Sequence, residues 1–348
     1  MIAAVFSMQG VGILFGGIVT VATLAGMQNA IMDDPNALDI VWRIILGLGV
    51  VPAFVAVYFR MTIPETPRYT VDVIKDEEQA ERDMDAVLIM NQVANVTSEW
   101  KGDAIDVVHH QYNEKVIKRE ATFWEHFGQW KYGKVLLGTA YTWFALDIAW
   151  YGLSLNQTRI LKIINFNGSN AGSLYESFFQ KAVGALIIAA MGTVPGYFFT
   201  VGLIEKMGRK SIQYLGFAVI TVILAVISTG FDYFSTHGTA FIALFTIANF
   251  FFNFGPNTTT FVVPAEVFPT RFRSTGHGLS AAAGKLGAII GVQVVAPYFD
   301  NHAAIVIGVF AIIMLTGGIA TILIPETRGK TLEELAGEDQ AYTYSENI

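Results

Sequence analysis

The chain has 348 residues, of which 53% are apolar and only 15% charged; soluble domains carry nearer 25% charged residues, so this balance points to a chain immersed in lipid and away from a soluble enzyme. There is no cysteine, hence no disulfide framework. The net charge of −7 does not indicate a cationic partner, because residues 71–133 alone hold 13 acidic and 7 basic side chains and the tail beyond Thr331 adds five carboxylates and no base.

A spanning helix needs roughly 20 mostly apolar residues. Eight stretches qualify: 3–27, 41–62, 134–155, 180–203, 211–231, 239–262, 277–297 and 304–324. The first lacks a basic start and is too long for a cleaved signal peptide. Between the second and third lies a charged segment, 63–133, which reads as a linker with short surface helices such as Glu77–Val93. Its His109-His110 pair reads as solvated side chains, not a metal site. Basic residues cluster after alternate spans: Arg60 and Arg68, then Lys206, Arg209 and Lys210, then Arg271 and Arg273, then Arg328 and Lys330. The connections 28–40, 232–238 and 298–303 contain no Lys or Arg, whereas 156–179 holds Arg159 and Lys162. The positive-inside rule therefore puts the linker and the C-terminus in the cytoplasm. Two sequons, Asn156-Gln-Thr158 and Asn167-Gly-Ser169, fall on the other side, where glycosylation is open.

Several spans hide polar groups. Asn249, Asn253 and Asn257 recur every four residues, and residues four apart share a helix face. Lys285 sits inside an Ala- and Gly-rich run, and Asp147 lies mid-span with Trp143 and Tyr151 one turn to either side. A charge in a membrane span costs at least about 2.5–3.5 kcal/mol, which makes each a functional-site hypothesis. Gly284, Gly287 and Gly291 form a small-residue ladder, most simply a close helix contact. A polar hinge, 264–278, separates the run that carries the asparagines from the run that carries Lys285. No nucleotide loop, zinc spacing or nucleophile elbow stands out, so no cofactor, metal, catalytic residue or nucleic-acid partner is expected. The chain reads as a carrier of something polar through a bilayer.

Ile63-Pro-Glu-Thr-Pro-Arg68 and Ile324-Pro-Glu-Thr-Arg328 end two bundles alike, as in transporters built from parallel repeats. This gives a remnant of an N-terminal bundle (1–62), a linker (63–133), a six-helix bundle (134–327) and a cytoplasmic tail (328–348). Four further spans are expected before residue 1, Met1 is expected to be internal to a longer protein, and the chain alone is not expected to transport.

Gly202-Leu-Ile-Glu205-Lys-Met-Gly208-Arg-Lys210 resembles the loop signature of the major facilitator superfamily, and Pro325-Glu-Thr-Arg-Gly-Lys-Thr-Leu-Glu333 its sugar-porter-like terminal motif. More narrowly, Ala4-Val-Phe-Ser-Met-Gln-Gly10, Trp143-Phe-Ala-Leu-Asp147-Ile-Ala-Trp-Tyr151, Asn253-Phe-Gly-Pro-Asn257-Thr-Thr-Thr-Phe261 and the 264–278 segment resemble the fungal and plant inorganic phosphate:proton symporters. The resemblance implies an all-α membrane bundle, with this chain corresponding to helices 5 to 12 of a twelve-helix fold. It further implies a plasma-membrane carrier importing phosphate with protons by alternating access.

Phosphate is rich in acceptors, so donors should surround it: the Trp143 indole, the Tyr151 hydroxyl and the Gln9 and Asn257 amides. Asp147 fits beside an anion if it is protonated when phosphate binds and releases its proton inside. Lys285 supplies positive charge and pairs with Asp147 when the site is empty. The resemblance carries substrate binding to Gln9, Trp143, Asp147, Tyr151, Asn257 and Lys285, and proton coupling to Asp147. A structural Asp147–Lys285 pair, packing roles for Trp143 and Tyr151, and a structural Gln9 remain the simpler alternatives. Glu205, Arg209, Glu266, Arg271, Glu326 and Arg328 are candidates for a cytoplasmic ion-pair gate, against a bare topogenic role for the positive charges. The competing functions are a sugar:proton symporter of the same superfamily and a non-transporting nutrient receptor.

Overall fold

The computed structural model describes residues 2–62, 122–157, 160, 173–330 and 334–335, together with positions 70, 76, 78, 79 and 82. The 63–68 repeat motif, the bulk of Glu77–Val93, His109-His110 and Asn167 lie outside the described residues. The regular structure among those described is helical throughout. Ten long helices carry it: α1 (Ile2–Gly26), α2 (Leu38–Thr62), α3 (Trp130–Ser154), α4 (Leu174–Ile188), α5 (Val194–Met207), α6 (Arg209–Thr229), α7 (Gly238–Asn253), α8 (Pro256–Val267), α9 (Thr270–Ile289) and α10 (Phe299–Ala320).

Seven helical stretches are long and apolar enough to cross a membrane: Ile2–Gly26, Pro35–Thr62, Leu174–Met207, Arg209–Thr229, Gly238–Val267, Thr270–Val295 and Phe299–Leu323. The eighth expected span, α3, is equally long but more polar, and twelve of its residues are buried. A helix surrounded by protein needs less apolar surface than one facing lipid, which explains the difference.

The expected spans hold with three adjustments. The fourth is longer, because α4 runs through a π-helical turn at Ala189–Thr193 straight into α5. The sixth is two helices: Gly255 and Pro256 break it, since proline at the first position of α8 offers no N–H to α7. The expected 264–278 hinge is almost entirely helical, interrupted only at Phe268 and Pro269 between α8 and α9. Pro264 sits inside α8, a residue tolerated in membrane helices because neighbours take up the freed carbonyl groups.

The chain forms two compact units. The first comprises residues 1–50 and 131–348 and holds every candidate site residue. In it α6 packs most extensively on α10 and next on α7, while α1 lies against α4, α5 and α8. Its main core gathers Leu146, Trp150, Phe217, Phe245, Phe310 and Met314 with their neighbours. The second unit, 51–130, contains the exposed apolar end of α2 and a short helix, Phe123–Phe127. That helix starts with a capping box in which Thr122 and Glu125 satisfy each other's backbone N–H groups.

The glycine ladder of α9 is a backbone contact. A Cβ at Gly287 would overlap the carbonyl oxygen of Phe144, and one at Gly291 that of Ile148, so α9 lies directly on α3. Backbone cannot swing aside as a side chain can. Gly287→Ala is therefore expected to cost about 1–3 kcal/mol of stability through overpacking, read as a lower midpoint of thermal unfolding of the purified chain. Gly12→Ala, where nothing lies within 4 Å, should leave the midpoint unchanged.

Candidate substrate site

Asp147 faces inward from α3 and is only 2% exposed. The Lys285 ammonium of α9 lies 3.4 Å from Asp147 Oδ2 and donates to the Tyr151 hydroxyl at 2.9 Å. It also stands 4.6 Å from the centre of the Tyr151 ring. The expected pair thus exists, across two helices that the glycine ladder brings together. Its environment is lopsided: the Asp147 side chain is 3% exposed and that of Lys285 60%. The carboxylate is held in the protein, while the lysine reaches it from an open space.

Gly284 explains how α9 comes so near. A Cβ there would stand 2.5 Å from Trp143 Cδ1 and 3.0 Å from Asp147 Oδ2. Trp143 is buried under this contact, edge-on to His277 at 5.5 Å and to Phe261 at 6.2 Å between ring centres. Phe6 of α1 stacks on Phe261 at 4.6 Å. An aromatic layer from α1, α3, α8 and α9 therefore sits one turn from Asp147.

A second polar group joins α1, α5, α7 and α8. The Asn257 amide donates to the Tyr197 hydroxyl at 2.7 Å and to Asn253 Oδ1 at 2.8 Å. Tyr197 in turn donates to Gln9 Oε1 at 3.1 Å. Gln9, Tyr197, Asn253 and Asn257 thus form one hydrogen-bonded cluster, and Asp147, Lys285 and Tyr151 another, with Trp143 against Gly284 beside the second. Asn253 and Asn249 bond backward to carbonyls of their own helix, at 2.7 and 2.8 Å, and act as internal struts.

Tyr197 was not anticipated. It is fully buried, and a lone tyrosine in an apolar span carries no pattern that distinguishes a hub from packing. The nearest signal is its position beside Gly196, whose missing side chain lets α5 touch the Phe250 carbonyl and Asn253.

At the end of the bundle where α5 meets α6, the Arg209 guanidinium takes two carboxylates at once. It reaches Glu205 at 2.7 and 2.9 Å, and Glu266 at 2.9 and 3.0 Å. Thr327 adds its hydroxyl to Glu266 at 2.6 Å. Glu326 is placed differently from expectation, for among the described residues its carboxylate bonds backbone N–H groups and forms no salt bridge with a side-chain cation. Its carboxylate accepts the backbone N–H groups of Arg209, Lys210, Thr327 and Arg328 at 2.9–3.0 Å, capping α6 where anions are favoured. Gly208, at φ +90, makes the turn that admits it: a Cβ would stand 2.5 Å from that carboxylate. Arg328 donates to the Lys206 carbonyl. Arg271 is exposed, its guanidinium 5.2 Å from the Phe272 ring centre. On the opposite side, Asn156 is buried with its amide nitrogen donating to the Gly152 carbonyl at 2.9 Å. That nitrogen is the atom a glycan would need, so the Asn156 sequon is not presented for modification.

Membrane-length helices wrapped around a buried polar cluster define a polytopic membrane protein of the helical-bundle class. The chain belongs to the Sugar (and other) transporter family, which it matches over residues 3–338, within the major facilitator superfamily. It is 42% identical to the repressible high-affinity phosphate permease of Neurospora crassa over 97% of its own length and 62% of that protein's. With the probable inorganic phosphate transporter 1-6 of Arabidopsis thaliana it shares 40% identity, covering all of this chain and 68% of the relative. The chain thus spans about two thirds of the length of these curated relatives. Among solved structures, it resembles the major facilitator proton:xylose symporter XylE at a TM-score of 0.71 and 16% identity. The match covers 96% of this chain and 66% of that one, a likeness of fold.

Proposed function

We propose that this chain is part of a plasma-membrane carrier that imports inorganic phosphate with protons. The observation that carries the reading is the Lys285–Asp147–Tyr151 group, in which an accessible ammonium faces a buried carboxylate. Phosphate entering from the open side competes with Asp147 for Lys285. Once the carboxyl takes a proton it frees the ammonium for the anion and turns from acceptor to donor. Tyr151, Gln9, Asn257 and the Trp143 indole supply the remaining donors, and Tyr197 holds Gln9 and Asn257 in place. Binding of phosphate and of the proton then favour each other, which is the thermodynamic content of symport. The relatives' printed functions agree with this assignment. We assign 1–62 to an N-terminal bundle, 63–133 to the linker, 134–327 to the C-terminal bundle and 328–348 to a tail, with the basic ends and the C-terminus cytoplasmic. Arg209 with Glu205 and Glu266 acts as an inner gate latch.

The test is uptake of radiolabelled phosphate by a transport-deficient yeast expressing the chain joined to the remaining length of the Neurospora relative. Uptake that rises as external pH falls, and collapses with a protonophore, is the expected result. Glucose uptake without phosphate uptake would move the chain to sugar carriage. Phosphate-dependent signalling with no uptake at all would make it a receptor.

A further inference from the structure

The face of α3 that carries Lys134, Leu137 and Tyr141 opposes the face of α10 that carries Thr316, Ile319, Ala320 and Leu323. Both sets follow helical spacing, so each is a continuous stripe. Between the stripes runs an open groove of about 310 Å³, lined by Leu137, Tyr141, Thr316, Ile319, Ala320 and Leu323. Its walls are almost wholly apolar, and the Tyr141 hydroxyl donates across it to Thr316 Oγ1 at 3.0 Å. Gly138 closes its floor, packed so tightly on Leu323 and Ile324 that a Cβ would meet them at 2.9 and 3.0 Å.

One end of this groove is positively charged. Lys134 continues the α3 stripe beyond Leu137, and no carboxylate among the described residues pairs with it. Lys210 arrives from α6, its ammonium donating to the Ile322 carbonyl at 3.2 Å beside Leu323. Lys134 stands one turn before Gly138, which packs on Leu323, while Lys210 reaches the carbonyl of the preceding Ile322, so both lysines belong to the same end of the groove. Glu326 offsets part of Lys210's charge, but its oxygens already accept four backbone N–H groups. Two cations at the mouth of an apolar trough lack a partner that carries both negative charge and a hydrocarbon tail.

We propose that this groove binds an anionic glycerophospholipid, one acyl chain lying along Leu137, Ile319 and Leu323 and the headgroup phosphate between Lys134 and Lys210. Basic pockets between membrane helices at the cytoplasmic leaflet suit such headgroups. The groove is separate from the Asp147–Lys285 region, so the proposal stands whatever that region carries. By bridging α3, α6 and α10 next to the Glu326 cap, the lipid steadies the end of the bundle where Arg209 is latched.

The test is native mass spectrometry of the purified chain, titrated in detergent with phosphatidylserine or phosphatidylcholine of identical acyl chains. Each basic residue near an anionic headgroup contributes about 1 kcal/mol, or about fivefold in affinity. Wild type should retain phosphatidylserine over phosphatidylcholine by at least tenfold. Lys134→Ala and Lys210→Ala should each lower phosphatidylserine retention about fivefold and phosphatidylcholine retention less, because choline neutralises the phosphate that both lipids share, and Lys134→Arg should keep it. Ala320→Trp, which fills the trough and spares both lysines, should weaken both lipids. Equal retention of the two lipids, or lysine variants that behave as wild type, would overturn the proposal. Displacement of phosphatidylserine by millimolar inorganic phosphate would also overturn it, because the lysines would then be reading a free anion.

Discussion

Asp147→Asn is expected to abolish proton-coupled phosphate uptake in the completed carrier while leaving the bundle folded. Asparagine keeps the shape of aspartate, so the contact beneath Gly284 survives. What disappears is the capacity to hold and release a proton, and with it the link between acidity and phosphate binding. The cost to stability is small because the bereaved partner, Lys285, keeps the Tyr151 hydroxyl as an acceptor at 2.9 Å. Removing a member of a fully buried pair costs roughly 3–5 kcal/mol; this pair is buried on one side only. Lys285→Ala produces the opposite imbalance. It strands the buried carboxyl without its cation and removes a charge-assisted bond to the anion worth about 1.5–3 kcal/mol. Phosphate affinity should therefore fall about 10- to 100-fold, read as the half-saturation of uptake. Uptake by Asp147→Asn at wild-type rate and pH dependence would make the pair structural.

What the sequence revealed of this site, and what it concealed, follows from periodicity. Asp147 with Trp143 and Tyr151, and Asn249 with Asn253, are spaced every four residues in one helix, so their shared faces could be read directly, whereas the break at Gly255 and Pro256 puts Asn257 in the next helix. The pairing of Asp147 with Lys285 could also be anticipated, since two opposite charges in neighbouring apolar spans have few other partners. The hub role of Tyr197 could not, because it depends on α1, α5 and α8 converging on one hydroxyl, and no local pattern encodes convergence. The same limit applies to Glu326. In sequence it looks like a member of an ion-pair gate; in the fold it is a helix cap, fixed by the turn that Gly208 makes 118 residues earlier. The polar segment 264–278 reads in sequence as a hinge, and the fold confines the break to Phe268 and Pro269. Arg271, Arg273, Ser274 and His277 are polar where α9 leaves the apolar layer, and its helical backbone continues regardless. Similarly, α3 can be less apolar than a lipid-facing span because one long face of it is enclosed by protein.

Arg209→Ala should be the most destabilising single change at the inner end of the bundle. The Arg209 side chain is 10% exposed and that of Glu266 15%, so truncation leaves an almost buried carboxylate with only the Thr327 hydroxyl beside it. Glu205, at 68% exposure, can turn to solvent and loses little. Taking the range for breaking a buried pair, the loss is about 3–5 kcal/mol, set almost wholly by Glu266. Arg209→Lys retains the charge but has no planar fork with which to serve two carboxylates, so it should fall between wild type and alanine. Glu205→Ala should cost less than about 1 kcal/mol. Thermal unfolding of the purified chain should rank the variants in that order, and equal losses for Glu205→Ala and Arg209→Ala would remove Glu266 as the cause. Transport separates a latch from a strut. If the contact must open in each cycle, Glu205→Ala should alter the rate of uptake per molecule while stability barely moves. If it is only a strut, uptake will follow the amount of folded protein in every variant.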